Sequence, residues 1–65
     1  MNNLKKRREE LNLTQKQVAD TAKVGVRLYQ NYETNRVEPG VNTAIKIAEV
    51  LETTVEKLFK DKTII

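Results

Sequence analysis

The fold of this chain is decided by the stretch TQKQVADTAKVGVRLYQNYE, which occupies residues 14–33. Thr14 is suited to cap a first helix, because its hydroxyl can accept a hydrogen bond from a backbone N–H of the first turn. An apolar stripe at helical spacing follows, consisting of Val18, Ala19 and Ala22. Gly25 then interrupts the pattern, since glycine permits backbone angles that most residues avoid. The stretch therefore predicts two short helices joined by a tight turn.

The second of these helices has one apolar and one polar face. Tyr29 and Tyr32 lie one helical turn apart and are expected to face inward. The opposite face then carries Val26, Arg27, Gln30 and Asn31. A short helix that exposes a guanidinium and amides has the donors and acceptors needed to read base edges in the major groove of DNA.

Length and composition exclude several classes of protein. The 65 residues allow one domain, placed at residues 1–65, and a domain of this size buries only about 60% of its unfolded surface. Cysteine and histidine are absent, so disulfides, zinc fingers and a histidine base are excluded. No catalytic constellation, metal site, cofactor site or small-molecule site is evident, so an enzyme is not expected. The charged N-terminal stretch resembles no signal sequence and no apolar run approaches membrane-spanning length, which favours a cytoplasmic protein.

The net charge of the chain is +3, and its charged residues are unevenly distributed along the sequence. Residues 1–36 hold eight basic and four acidic side chains, whereas residues 37–65 hold four basic and five acidic ones. The positive excess thus lies in the part that contains the candidate reading helix. Two interpretations stay open on charge alone: a surface for nucleic acid, or lysines and arginines that serve as solvated helix formers.

The segment before residue 14 predicts a helix that Asn2 or Asn3 can cap and that runs to about Asn12. Its inward face is expected to hold Leu4, Arg8 and Leu11. An arginine between two leucines on such a face is unexpected, because a buried charge is costly unless it is paired.

The remainder of the chain predicts a loop and two more helices. Pro39 keeps the loop at residues 34–40 from becoming helical, and Asn35 can adopt the left-handed geometry that ends a helix. The helix expected over residues 41–51 has an apolar stripe of Val41, Ala44, Ile45, Ala48 and Leu51, with Ile47 widening it. Thr54 can cap a last short helix, whose apolar residues are Val55, Leu58 and Phe59. The sequence thus predicts an all-α, compact five-helix bundle, followed by the β-prone residues Thr63, Ile64 and Ile65 as a short extended segment.

Five pieces of the chain occur together in an order and spacing that is typical of one family: LNLTQKQVA, VGVRLYQNYE, NRVEP, VNTAIKIAEVL and TVEKLF. From Leu4 to Phe59 the chain thereby resembles the Cro/repressor-type helix-turn-helix family, also called the xenobiotic-response-element family. The resemblance implies a lambda-repressor-like five-helix fold. It also implies sequence-specific binding of double-stranded DNA by a homodimer.

The resemblance and the exposed helix face together nominate seven DNA-binding residues: Gln15, Lys16, Val26, Arg27, Gln30, Asn31 and Arg36. The resemblance implies that Gln15 grips a phosphate and that Arg36 lies near the DNA backbone. It also implies that Val26, Arg27 and Asn31 face the major groove. Lys16 is either a further contact or an ordinary polar residue of a first helical turn.

The resemblance also implies an internal salt bridge between Arg8 and Glu33, which would explain the arginine on the inward face. Two positions depart from the family pattern. Lys23 stands where the family has glycine in the turn, at a cost of about 1 kcal/mol if the residue is left-handed. Gly25 stands where the family has a capping Ser or Thr, and losing that side chain costs only a few tenths of a kcal/mol. For Leu28, packing on the turn is favoured over contact with a thymine methyl group.

The function expected from these observations is transcriptional repression by occupancy of a twofold operator, with two reading helices roughly 34–36 Å apart. The dimer contact is expected to come from the fifth helix and from Thr63, Ile64 and Ile65, although a frayed end is an equally open interpretation of those residues. The alternative function is a protein-interaction module, such as an antitoxin or adaptor, in which the same fold binds a protein partner.

Overall fold

The computed structural model describes residues 2–59, which form five helices and no strand. In chain order these are α1 Leu4–Glu10, α2 Gln15–Ala22, α3 Val26–Glu33, α4 Val41–Val50 and α5 Val55–Phe59. The predicted all-α, five-helix architecture is confirmed. The extended segment expected at Thr63, Ile64 and Ile65 lies outside the described residues. None of the five helices is both long enough and apolar enough to cross a membrane.

Side-chain caps define the start of several helices. The Thr14 hydroxyl accepts from the backbone N–H of Gln17 at 3.0 Å, and the Gln17 side chain accepts from the Thr14 N–H at 2.8 Å. This reciprocal capping box satisfies donors that the first turn leaves unpaired, and such a cap is worth about 1 kcal/mol. Thr54 likewise accepts from the Lys57 N–H at 3.1 Å, as predicted. At α1 the Asn2 side chain accepts from the Leu4 N–H at 3.0 Å.

Helix α1 is shorter than predicted and ends at Glu10. The reason lies at Asn12, whose φ of 59° is left-handed and cannot continue a right-handed helix. Asn35 adopts the same conformation, with φ of 63°, directly after α3, where the sequence predicted a helix end.

The core lies where α2 packs against α3 and α4, with α1 and α5 closing its remaining sides. Its fully buried residues come from every helix and from the residue that follows α4: Leu4, Val18, Ala19, Tyr29, Ile47, Leu51 and Leu58. The chain start is held against α5, because the Asn3 N–H donates to the Leu58 carbonyl at 2.8 Å and the Asn3 side chain donates to the Lys57 carbonyl at 2.9 Å. In this packing, α2 and α3 lie directly against each other.

The buried face of α4 differs from the predicted stripe. Ile47, expected only to widen that stripe, is fully buried, whereas Val41 is 76% exposed and Ile45 is 44% exposed. Helix α4 packs against both α2 and α5, and the continuous helical face that meets them consists of Ala44, Ile47, Ala48 and Leu51. The prediction for Val41 and Ile45 was therefore wrong, and their apolar surface remains uncovered by the described residues.

The turn between α2 and α3 also differs from the prediction, in the conformation of Gly25. Lys23 is left-handed, with φ of 63° and ψ of 42°, as its position in the family turn implied. The next N–H, of Val24, donates back to the Ala19 carbonyl at 2.9 Å and closes the helix end. Gly25 has ordinary extended angles, φ −67° and ψ 145°. The expectation that Gly25 supplies unusual backbone angles was wrong, because the reversal is completed two residues earlier.

Candidate nucleic-acid interface

Helix α3 buries its two tyrosines and leaves a mixed face outward. Tyr29 is fully buried and Tyr32 is 5% exposed, as predicted. Arg27 and Leu28 are exposed, while Gln30 and Asn31 are half-buried. The outward face therefore carries one guanidinium, one apolar side chain and two amides.

Val26 is less exposed than expected. It is half-buried and packs against the core cluster. The cause is its position one turn before Tyr29, since residues three apart share a helix face. Its expected contact with the major groove stays a prediction.

An ion pair between Arg8 and Glu33 joins α1 to the last residue of α3. Arg8 Nε lies 2.7 Å from Glu33 Oε2 and Arg8 Nη2 lies 3.3 Å from Glu33 Oε1. The two side chains are only 11% and 3% exposed. Arg8 Nη1 also donates to the Leu13 carbonyl at 2.9 Å, which holds the link between α1 and α2. The arginine on the apolar face of α1 is thus paired on each side of its guanidinium.

The surroundings of Glu33 keep its carboxyl ionised. Burial alone would raise the pKa of Glu33, but the hydrogen bonds to its carboxylate, including those from Arg8 and Gln15, and the charge of Arg8 together outweigh burial and lower the pKa from its ordinary value of 4.5. The same pairing raises the pKa of Arg8 further above its ordinary value of 12.5. Both charges are therefore present throughout the physiological range.

Gln15 connects this ion pair to the outward face of α3. Its Nε2 donates to Glu33 Oε1 at 3.0 Å, and its Oε1 accepts from Gln30 Nε2 at 3.1 Å. The resemblance nominated Gln15 and Gln30 separately, and sequence reasoning missed that they touch. The one available signal was the carboxylate of Glu33, which has more acceptor sites than one arginine uses.

The hydroxyl of Tyr29 is buried together with its ring. Among residues 2–59 it has no hydrogen-bond partner. Burial, and next to it the nearby Glu33 carboxylate, raise the pKa of the Tyr29 phenol well above its usual range. The ring lies fully inside the core, so its hydroxyl cannot reach a phosphate at the edge of the interface.

The remaining nominated residues are cations at the two ends of the unit formed by α2 and α3. Lys16 Nζ lies 2.8 Å from Asp20 Oδ2 in an exposed pair, and this contact raises the pKa of Lys16. Arg36 is exposed in the loop after α3, where its backbone N–H donates to the Asn31 carbonyl at 2.9 Å. Within residues 2–59, neither Arg27 nor Arg36 has an ion-pair partner, so both charges are available to an anionic ligand. The same part of the chain contains no cluster of side chains able to hold a metal ion.

One comparison with known proteins agrees with this fold. A family model described as helix-turn-helix matches residues 4–58, which include all five helices almost to the end of α5. A search of curated proteins found no match to the chain.

Proposed function

We propose that this chain, which belongs to the Cro/repressor-type helix-turn-helix family, is a repressor that binds a twofold-symmetric operator as a homodimer. The family assignment makes the chain a DNA-binding regulator. The observation that best supports operator binding is that Arg27 has no ion-pair partner and lies on the exposed face of α3, a helix that the Arg8–Glu33 pair joins to α1. Such a regulator acts in the cytoplasm, on the DNA of its own cell.

In the proposed complex, α3 lies in the major groove and phosphate contacts set its register. Gln15, Lys16 and Arg36 flank α3 and contact the DNA backbone, which positions the protein without selecting a sequence. Arg27 and Asn31 meet base edges, where arginine pairs best with guanine and asparagine with adenine. Val26 supplies apolar contact beside them. Occupancy of the operator then blocks access to the promoter.

The proposed dimer uses the apolar surface that α4 and α5 leave open. A groove on this side is lined by Glu38, Pro39, Val41, Ala44, Ile45, Val55 and Phe59. Val41, Ile45 and the nearby Val37 are all exposed large apolar residues, and uncovered apolar surface of this kind is typical of an association site. A second copy of the chain is the proposed occupant, since a twofold operator needs two copies. The β-prone residues Thr63, Ile64 and Ile65 extend the proposed contact from α5.

Selection of bound sequences from a random duplex pool tests the reading of DNA. We expect an inverted repeat whose half-sites lie one helical turn apart. Binding to the selected duplex should weaken with salt, with a log–log slope near −0.9 per neutralised phosphate. Arg27→Ala should flatten the base preference at one position of each half-site by about 1–3 kcal/mol. Equal weakening on every sequence would show instead that Arg27 contacts phosphate.

Sedimentation of matched variants tests the dimer surface. Ile45→Gln removes apolar surface from the groove, whereas Lys46→Gln makes the same side chain at an exposed neighbour that does not line the groove. We expect Ile45→Gln to shift the protein toward monomer and Lys46→Gln to leave the dimer intact. Deletion of residues 62–65 tests the contribution of the isoleucines in the same way. A full-length chain that stays monomeric on its operator would overturn the twofold mechanism.

The alternative, a protein-interaction module such as an antitoxin or adaptor, predicts a stable complex with a protein partner and weak, sequence-independent binding to DNA. The unpaired Arg27 and Arg36 favour DNA instead. The salt titration separates the two functions, because only a dedicated DNA-binding protein retains sequence preference as the salt concentration rises.

A further inference from the structure

The end of α3 is held by Asn2, which lies just before α1. Asn2 Nδ2 donates to the Tyr32 carbonyl at 2.8 Å and to Asn35 Oδ1 at 3.0 Å. Asn2 Oδ1 accepts from the Leu4 backbone N–H at 3.0 Å. Both N–H groups and the oxygen of this half-buried amide are therefore in use. We call Asn2 and Asn35 the asparagine pair.

Backbone atoms determine which way the Asn2 amide faces. A backbone N–H can only donate, so the Leu4 N–H requires an oxygen as its partner. A backbone carbonyl can only accept, so the Tyr32 carbonyl requires an N–H group. Asn2 meets both requirements in a single orientation, and its second N–H is then the group that faces Asn35.

The orientation of Asn2 in turn determines that of Asn35. Because Asn2 presents a donor, Asn35 must turn its side-chain oxygen toward Asn2. The backbone of Asn35 is left-handed, with φ of 63°, and its N–H donates to the Tyr32 carbonyl at 3.2 Å. The Asn35 side chain is exposed, and its Nδ2 donates to no protein atom within residues 2–59. Asn35 thus presents free N–H donors in a defined orientation.

Free amide donors at this position suit an anionic oxygen. A phosphate group of DNA accepts hydrogen bonds, and asparagine side chains are among the groups that donate to it. Asn35 directly precedes Arg36, whose guanidinium has no ion-pair partner in the described part of the chain. A neutral donor and a cation are therefore consecutive in the loop that follows α3, where the proposed complex brings the DNA backbone.

We infer that Asn35 donates from Nδ2 to a phosphate of the operator and that Asn2 is the positioning residue that turns the Asn35 amide toward it. This inference rests on the proposed function, since it presumes that α3 enters the major groove. The contact carries no charge, unlike that of Arg36. Salt weakens binding because cations on the protein release counterions from DNA, so a neutral contact adds affinity without steepening the salt dependence.

Operator binding measured at a series of salt concentrations tests the Asn35 contact. Asn35→Gly removes the amide and accommodates the left-handed backbone, and Arg36→Ala is the matched cationic variant. We expect Asn35→Gly to weaken binding to every duplex by roughly 10- to 100-fold for each half-site, as for one hydrogen bond to a charged group. It should keep the log–log salt slope of the unmodified protein, whereas Arg36→Ala should make that slope shallower by about 0.9 for each half-site.

A double-variant cycle tests the role of Asn2. Asn2→Ser keeps an oxygen for the Leu4 N–H but lacks the amide that reaches Asn35. We expect Asn2→Ser to weaken operator binding of the otherwise unmodified protein and to have no effect on binding in the Asn35→Gly background. Asn3→Ser is the control, because Asn3 donates to the Lys57 carbonyl of α5 and not to α3, so its effect should be equal in both backgrounds. Urea unfolding of each variant checks that the fold is kept.

A chemical change in the DNA locates the phosphate. Single phosphates of the operator are replaced by methylphosphonate, which removes the charge and one acceptor oxygen. We expect one phosphate in each half-site at which this replacement weakens binding of the unmodified protein more than binding of Asn35→Gly.

Three results would overturn this inference while leaving the proposed function standing. In the first, Asn35→Gly binds the operator as tightly as the unmodified protein, or makes the salt slope shallower as Arg36→Ala does. In the second, every methylphosphonate weakens Asn35→Gly as much as the unmodified protein. In the third, Asn2→Ser weakens binding equally with and without the Asn35 amide, which would make Asn2 a purely structural residue. A protein that shows no preference for any duplex would overturn the proposed function itself, and the asparagine pair with it.

Discussion

The two sides of this small molecule are held together by different kinds of contact. On the side formed by α1, α2 and α3, directional bonds around Glu33 join three helices, and the participating charges are nearly inaccessible to water. On the other side, α4 and α5 pack against each other through apolar side chains, although Asn3 also donates hydrogen bonds to carbonyls of α5. Val41 and Ile45 remain exposed on this side, at the rim of a groove. On the first side, the buried charges find their partners within the described chain. The second side retains apolar surface that another molecule can cover.

The difference matters because directional and non-directional contacts have different consequences. Hydrogen bonds between ionised groups fix the orientation of side chains and become costly when one partner is lost. Apolar surface has little orientational preference and gains free energy from any well-fitting cover. The first kind suits a helix that must present amides at defined angles, and the second suits association between copies.

Removing one partner of the Arg8–Glu33 ion pair should have the largest effect on the stability of the fold. Removing either partner leaves a charge without compensation, and we expect Arg8→Met or Glu33→Gln to lower the free energy of unfolding by about 3–5 kcal/mol. Denaturant unfolding of the two single variants and the double variant gives the coupling between them. The exposed pair Lys16–Asp20 is the control, and its removal should have no measurable effect. A coupling near zero between Arg8 and Glu33 would mean that Arg8 is held by its aliphatic stem and by the Leu13 carbonyl alone.

The second prediction compares two isoleucines on the same helix. Ile47→Ala removes a fully buried side chain and should cost about 2–5 kcal/mol, because it leaves a cavity between α2 and α4. Ile45→Ala removes a side chain that is 44% exposed and should cost the monomer much less. Urea unfolding at low protein concentration separates these effects from dimer stability. Equal losses of stability at both positions would mean that Ile45 is buried as deeply as Ile47, and the difference drawn between the two sides of the molecule would no longer hold.

The same two residues show how far the sequence could predict the fold. Helical spacing and caps such as Thr14 are local, so the five helices were predictable, and the family resemblance pointed to the partner of Arg8. Which face of α4 is buried depends on the side chains that α2 and α5 place against it. Helical spacing alone therefore predicted that Ile45 is buried and that Ile47 lies at the margin, whereas the structure shows the reverse. The hydrogen bonds that link Glu33, Gln15 and Gln30 were also beyond prediction, because they depend on side-chain orientations across two helices. Gly25 was misjudged since the left-handed residue of its turn is Lys23.

Acid should weaken the polar side of the molecule through Glu33, by less than deletion of its partner because a neutral carboxyl still makes hydrogen bonds. The pKa of Glu33 in the folded chain lies below its ordinary value of 4.5, so its charge stabilises the fold fully above that pH. This contribution is lost as the pH falls from 4.5 through the lowered pKa. Urea unfolding measured at a series of pH values should therefore show a decline that is reduced in Glu33→Gln. An identical acid profile in the variant would assign the decline to other carboxyls.

A smaller effect is expected in the turn that joins the two helices of the reading unit. Lys23 occupies a left-handed conformation that disfavours residues with a Cβ, and Lys23→Gly should stabilise the fold by up to about 1 kcal/mol after the entropy of the unfolded glycine is counted. Asn35→Gly is the control, because asparagine tolerates the same conformation and should gain less. Thermal unfolding of both variants checks this order. A loss of stability in Lys23→Gly would show that the lysine side chain makes a compensating contact.

The smallest effect concerns the start of α3, which has no side-chain cap. Gly25 is the N-cap, with φ −67° and ψ 145°, and a Cβ built there meets no atom within 4 Å. Gly25→Ser therefore fits the existing backbone and supplies a hydroxyl that can accept from the N–H of Leu28. The expected gain is a few tenths of a kcal/mol, whereas Gly25→Ala has the same Cβ without the acceptor and should destabilise the fold. Thermal unfolding of the two variants under identical conditions measures the difference. If serine and alanine behave alike, the first turn of α3 obtains no benefit from a cap, and α3 is held by polar contacts away from its start, among them those of Arg8 and Gln15 with Glu33.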